Sequence, residues 1–168
     1  MEIRSILVPV SGTEADSEAM VFACRLAKKD KARIVAVYVI PIQRSLPLDA
    51  ELETEVEKGE RVLEQMEKVA TGQGYAIETD LLQAREEGPA IVDEAREHDI
   101  DLILMGTPYQ RQFGQFSLGQ TIVYVLKNAP CRVMIYHHYP PPEEDLSLIH
   151  ISEPTRPLYI SYAVFCLK

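Results

Sequence analysis

The segment IRSILVPVSGTEADSEAM, residues 3–20, predicts a strand, a tight loop and a helix in succession. Residues 3–10 form a short, apolar and β-branched run that is typical of a buried strand, and a Ser-Gly pair ends it. Thr13 then fits a helix N-cap, because an acidic residue follows three positions later at Asp16. The segment therefore predicts the first strand and the first helix of the fold.

The rest of the chain continues this alternation. Further strands are predicted at residues 33–40, 76–82, 101–105 and 131–136, and further helices at residues 48–70, from residue 88 onward, and at 119–128. Such alternation indicates an α/β fold with a parallel sheet and helices on both faces. Ligands bind beyond the carboxyl ends of the strands in sheets of this kind. The residues that follow the first and fourth strands are therefore the expected walls of a site.

Composition narrows the class of protein. The length of 168 residues is that of one domain, and the formal net charge of −9 predicts a surface that repels nucleic acid and anionic lipid. No apolar run reaches the roughly 20 residues that cross a bilayer, and the first residues show no signal-peptide pattern. Cys24, Cys131 and Cys166 lack metal-ligand spacing. We expect a cytoplasmic protein that has no membrane or nucleic-acid partner.

The last part of the chain differs from what precedes it, because it follows a Pro-rich segment and has no helical or strand period. Residues 146–156 and 160–167 resemble, in order, two segments of a translated sequencing-library adapter. A natural tail of unusual composition is the alternative. We expect a domain at residues 1–139 and an irregular tail at 140–168 that is artefactual from position 146. A truncated, longer natural protein is compatible with the same boundary.

A glycine-bearing loop follows the fourth predicted strand. It reads MGTPYQRQFGQFSLGQT, residues 105–121, and contains Gly106, Gly114 and Gly119. A strand, such a loop and a helix start are the usual parts of a phosphate-binding site, because glycine lets the backbone approach an anion and a helix N-terminus favours negative charge. The loop is therefore a candidate phosphate site.

Three segments together resemble the universal stress protein family. They are ILVPVSGTEADSEAMVFACRLA, DLILMGT and LGQTIVYVLKNAPCRVMIY, at residues 6–27, 101–107 and 118–136. The resemblance covers essentially residues 1–136. It implies a five-stranded parallel sheet in the order 3-2-1-4-5, which is the adenine-nucleotide alpha-hydrolase-like form of the Rossmann-like sandwich. It also implies a homodimer, commonly formed through the last strand.

One branch of this family binds ATP through the motif G-x2-G-x9-G-[S/T]. In this chain Gly106 and Gly119 keep the first and third glycines, whereas Tyr109 and Gln120 replace the second glycine and the hydroxyl residue. Ser11 stands where the family has an aspartate that contacts the nucleotide. Each lost contact costs about 1–3 kcal/mol if a polar partner is left unpaired. The motif is therefore degenerate.

The family's other nucleotide contacts carry over to positions that are candidates for lining the same pocket. They are Pro9, Val10, Val39, Met105 and Thr121. Three residues of the loop itself are candidates to compensate for the replaced ones. Arg111 is placed to reach a phosphate, Gly114 gives the loop another flexible point, and Thr107 also lies there.

Two functional hypotheses follow from the resemblance and its departures. The first is a binding or interaction module of the stress response, whose pocket is empty or holds an atypical ligand. The second is a protein that binds ATP or another adenine nucleotide, with slow hydrolysis or switch behaviour. The residues assemble into no catalytic or metal-binding constellation, so no catalytic residue and no metal ligand is predicted, and an enzyme is the less favoured class.

The final strand is the predicted dimer edge, because an exposed edge strand is a surface for pairing with another chain. Arg132, Met134 and Tyr136 are expected on one face of this strand, and Val133 and Ile135 on the other. An ordinary edge covered by the Pro-rich tail is the alternative.

Three histidines are considered for metal binding or catalysis. His137 and His138 are adjacent, so on an extended segment they point to opposite sides, and we expect a flexible pair at the domain end. His98 ends a predicted helix, where the helix dipole favours an imidazolium.

Overall fold

A computed structural model of the chain describes residues 1–108, 111–112, 115–116 and 118–139. The strands are β1 (Ser5–Pro9), β2 (Arg33–Pro41), β3 (Glu78–Ala84), β4 (Leu102–Pro108), β5 (Arg111–Gln112), β6 (Gln115–Phe116) and β7 (Arg132–His138). The helices are α1 (Glu14–Asp30), α2 (Glu53–Gly72), α3 (Glu87–Glu97) and α4 (Gln120–Asn128). Within these ranges, no helix has both the length and the apolar character required to cross a membrane.

Five of the strands form one parallel sheet in the order β3-β2-β1-β4-β7. The predicted order 3-2-1-4-5 is thereby confirmed, since β7 is the fifth long strand. The short strands β5 and β6 pair antiparallel between β4 and α4. This two-stranded ribbon was not predicted, because the loop sequence has no alternating apolar period.

Helices cover both faces of the sheet, which explains the continuous apolar strands. In β1, Ile6 and Val8 point to the core formed with α1 and α2, whereas Leu7 points to the core formed with α3 and α4. All five residues of β1 are buried. Burial on both faces is the normal condition of a central parallel strand.

Helix α2 begins later than the sequence predicted. Its predicted start near Leu48 is wrong, because Leu46 and Ala50 donate backbone hydrogen bonds to the carbonyls of Gln43 and Pro47 and so form turns. Leu48 is consequently 54% exposed and does not join the apolar stripe of the helix. The apolar residues before Glu53 imitate a helical period without forming a helix.

Candidate functional site

A cavity of about 280 Å³ lies at the carboxyl ends of β1, β2 and β4. This is the edge of the sheet where ligands bind in parallel α/β folds. Helices α1, α2 and α3 contribute the remaining walls. The lining residues are Pro9, Val10, Ser11, Asp16, Val37, Tyr38, Val39, Pro41, Glu55, Lys58, Glu87, Ile91 and Gly106.

The loop between β1 and α1 is closed by the carboxylate of Asp16. Its Oδ2 atom accepts hydrogen bonds from the backbone N–H groups of Ser11, Gly12 and Thr13 at 2.8, 3.0 and 3.0 Å, and from the Ser11 hydroxyl at 3.2 Å. The Thr13 hydroxyl in turn accepts from the backbone N–H of Asp16, which completes a capping box. The box was visible in the sequence, but the place of Asp16 in the cavity wall was not.

Gly106 is required by packing rather than by a ligand. A Cβ atom at this position would lie 2.6 Å from the carbonyl oxygen of Ala15, which is closer than real Cβ atoms approach such a group. The absence of a side chain therefore lets β4 pack directly on the first turn of α1. The first glycine of the nucleotide motif has a structural role that is independent of any phosphate.

Gly119 is required by its backbone conformation. It is the N-cap of α4 and has φ 82° and ψ 163°, a region that is essentially restricted to glycine. A Cβ atom there would meet no described atom within 4 Å, so conformation and not space selects glycine. Both motif glycines that this chain keeps are thus explained without a nucleotide.

The N-terminus of α4 borders a second depression, of about 370 Å³. Gln120 and Thr121 line it together with Glu86 and Glu87, which precede and begin α3. The Thr121 hydroxyl donates a hydrogen bond to a Glu87 carboxylate oxygen at 3.2 Å. A carboxylate therefore lies at the helix N-terminus where the motif would hold a phosphate.

The predicted pocket residues separate into four groups. Pro9, Val10, Ser11, Val39 and Gly106 line the cavity. Met105 and Thr107 are buried in β4, and Gly119, Gln120 and Thr121 lie at the start of α4, beside the second depression. Tyr109 and Gly114, and the side chain of Arg111, lie outside the described residues.

The cavity wall carries an excess of negative charge. Asp16, Glu55 and Glu87 contribute three carboxylates, and Lys58 contributes one ammonium group. The charge of Asp16 is largely satisfied by the N–H groups that it accepts from, whereas Glu55, in the first turn of α2, is half-buried. The electrostatic field at the cavity therefore opposes a highly charged anion.

The two described thiols are poor candidates for nucleophiles. Burial raises the pKa of Cys24, and Lys28 offsets only part of this effect. Burial likewise raises the pKa of Cys131 at the start of β7. Since the thiolate is the reactive form, both residues fit a structural role.

The histidine pair lies inside β7, so the expected flexible end is wrong. His137 and His138 extend the strand and pair in register with Thr107 and Pro108 of β4. His138 is partly buried, and its Nδ1 atom lies 2.7 Å from a carboxylate oxygen of Glu18 in α1. The expectation that the two rings point to opposite sides agrees with their alternating burial.

The alternation predicted for the last strand is also found in β7. Val133 and Ile135 pack against the core formed with α3 and α4, whereas Tyr136 packs against the core formed with α1. Arg132 and Met134 are exposed.

The doubly wound sheet, with a cavity at the carboxyl ends of β1, β2 and β4, defines a Rossmann-like α/β protein. The chain matches the model of the universal stress protein family over residues 2–137, and it belongs to this family. A universal stress protein of Methanocaldococcus jannaschii is 31% identical over 140 residues, which cover 79% of this chain and 81% of that protein.

Solved structures agree with this assignment. A universal stress family protein from Burkholderia pseudomallei is 27% identical, with a TM-score of 0.61 over 79% of this chain and 95% of the other. The universal stress protein from Archaeoglobus fulgidus in complex with dAMP is 20% identical, with a TM-score of 0.63 over 80% and 98% of the two chains. A family member from Arabidopsis thaliana with AMP bound is 16% identical, with a TM-score of 0.62 over 83% and 97%.

Proposed function

We propose that this chain is a ligand-binding module of the stress response whose cavity takes the nucleoside end of an adenine nucleotide and disfavours a triphosphate. The Archaeoglobus and Arabidopsis proteins, which share the fold, are described with dAMP and AMP. The cavity of this chain lies beyond the carboxyl ends of the strands, where ligands bind in such sheets.

The observation that carries the proposal is the combination of cavity size and charge. A volume of about 280 Å³ is near the lower limit of small-molecule sites, which span roughly 300–1,000 Å³. Glu87 contributes to this cavity and also accepts the hydrogen bond from Thr121 at the start of α4. A triphosphate running toward α4 would therefore meet a carboxylate, which a neutral nucleoside would not oppose.

The experiment is a calorimetric titration of the full chain with adenosine, AMP and ATP. We expect adenosine and AMP to bind more tightly than ATP, by about tenfold, because each phosphate adds charge near the carboxylates. The Glu87→Gln variant keeps the hydrogen-bond acceptor for Thr121 but removes the charge. It should raise the affinity for ATP by about threefold or more and change the affinity for adenosine little.

Glu64→Gln is the matched control. Glu64 lies in α2, its side chain is exposed, and its carboxylate lies 3.1 Å from the ammonium group of Lys68. Because Glu64 lines neither the cavity nor the depression at the start of α4, this variant should bind all three ligands as the wild type does. Tightest binding to ATP would contradict the proposal, and phosphate release from the bound ATP would favour the hydrolysing or switching alternative. If none of the three ligands binds, the nucleoside assignment fails and an interaction module with an empty pocket is the better account.

A further inference from the structure

A buried glutamate in α3 faces two other potential metal ligands. The side chain of Glu94 is only 7% exposed, and its Oε1 atom lies 2.9 Å from Nε2 of His98, one helical turn later. Asp80, on the edge strand β3, points to the same face of the sheet as Leu82, which packs in the core with α3. One ligand atom from each of Asp80, Glu94 and His98 lies within 4.8 Å of the other two.

This arrangement places two carboxyl groups together, one of them buried and the other half-buried. Burial raises the pKa of the Glu94 carboxyl; His98 opposes this effect, and Asp80 and Glu97 reinforce it. Two neighbouring carboxylates repel each other, and a proton or a cation between them relieves the repulsion. His98 adds a nitrogen atom to the same cluster, so that two carboxyl groups and one imidazole converge there.

We propose that Asp80, Glu94 and His98 bind a divalent transition-metal cation of the Zn²⁺ class. One imidazole nitrogen and two carboxylate oxygens form a donor set that Zn²⁺ accepts, with water in the fourth position. Ligands at about 2.0–2.2 Å from a tetrahedral ion lie roughly 3.4 Å apart. The present atoms lie within 4.8 Å of one another, so no pair needs to contract by more than about 1.4 Å, and the Glu94–His98 pair, at 2.9 Å, needs to open by about 0.5 Å. Binding displaces the proton held between the carboxyl groups of Asp80 and Glu94, and this proton passes to the solvent.

A second cluster of possible ligands is a weaker candidate for metal binding. It consists of Glu14, Glu18 and His138. Its ligand atoms also lie within 4.8 Å of one another. The side chain of Glu14, however, is 79% exposed, and its carboxylate reaches His138 only at 4.0 Å. An exposed carboxylate is well solvated and gains little from a cation. This cluster supplies the matched control.

The proposed ion would join α3 to the edge of the sheet. Glu94 and His98 belong to the last turns of α3, whereas Asp80 belongs to β3. The first turns of the same helix carry Glu87 and Ile91, which line the cavity. The metal would therefore fix the helix that forms one wall of the ligand site, without entering that site.

The test is a calorimetric titration of the full chain with Zn²⁺, after removal of metal by a chelator and buffer exchange. We expect one tight site per chain that is lost or weakened at least about tenfold in His98→Gln and Glu94→Gln. The control His138→Gln should retain it. Zn²⁺ should also raise the melting temperature of the wild type and of His138→Gln, but not of His98→Gln.

Circular dichroism of each variant without metal establishes that the fold is intact. If a variant unfolds, Asp80→Asn replaces it, since Asp80 is less buried than Glu94. Equal Zn²⁺ affinity in the wild type and His98→Gln would overturn the proposal. Loss of the tight site in His138→Gln alone would also overturn it and assign the ion to the other cluster. Absence of Zn²⁺ binding to the wild type would also overturn the proposal. A proton between the carboxyl groups of Asp80 and Glu94 would then account for their proximity.

Discussion

Single residues decide how the degenerate motif is interpreted. Gly106 is kept because a side chain would meet the Ala15 carbonyl, and Gly119 because its φ of 82° excludes other residues. The survival of these glycines is therefore no sign that a phosphate binds. The more informative position is Glu87, whose carboxylate lies beside Thr121 at the start of α4.

The steric role of Gly106 can be measured directly. Gly106→Ala should lower the free energy of unfolding by about 1–3 kcal/mol, because overpacking forces β4 away from α1. Urea denaturation of the variant and the wild type gives this value.

Gly72→Ala is the control, because a Cβ atom there meets nothing within 4 Å and the backbone is helical. It should leave stability unchanged or raise it by about 0.5–1 kcal/mol. Equal stability of Gly106→Ala and the wild type would remove the packing explanation.

At the scale of the element, the start of α1 builds one wall of the cavity. The carboxylate of Asp16 accepts from three successive backbone N–H groups, whereas the Thr13 hydroxyl accepts from one. Thr13→Ala should therefore cost about 1 kcal/mol of stability, as is usual for an N-cap. Asp16→Ala should cost more, about 2–3 kcal/mol, since it leaves several donors without an acceptor. Urea denaturation ranks the two, and a Thr13 variant as unstable as the Asp16 variant would contradict this account.

The elements also show what could be predicted from the sequence. Strands β1 and β2 were predicted within about two residues at each end, because a strand buried on both faces is a continuous apolar run. The start of α2 was missed, because Leu48 and its neighbours continue the apolar period into turns. The β5–β6 ribbon has no period to detect.

The candidate sites were harder to predict than the elements. Asp80 and Glu94 are 14 positions apart and meet only because α3 packs on the edge of the sheet. Neither local pattern nor charge singles out this pair. Glu87 was likewise missed, because nothing in the sequence places the start of α3 beside the start of α4. Residues from separate elements converge through tertiary packing, which a linear pattern does not record.

At the scale of the whole molecule, the last strand and the helix before it carry exposed apolar side chains. Within the described residues, β7 is the last strand of the sheet and pairs with β4. A strand in this position can pair with another chain. Nearby exposed apolar side chains come from α4 and β7. They are Val123, Tyr124, Leu126 and Met134. We propose that this edge forms a twofold homodimer, because identical edges can pair with each other about such an axis.

The dimer is tested by placing a charge on its proposed surface. Met134 is 37% exposed, and Met134→Asp would bring two like charges together across a twofold axis, so the dissociation constant should rise by about tenfold or more. Analytical ultracentrifugation over a concentration series measures it. Leu48→Asp is the control, since Leu48 is 54% exposed and follows β2, which β1 and β4 separate from β7. This variant should sediment as the wild type does. A wild-type chain that is monomeric at all concentrations would exclude pairing through β7. Equal weakening of the dimer by both substitutions would exclude it as well, because a dimer that pairs through β7 is weakened by Met134→Asp and not by Leu48→Asp.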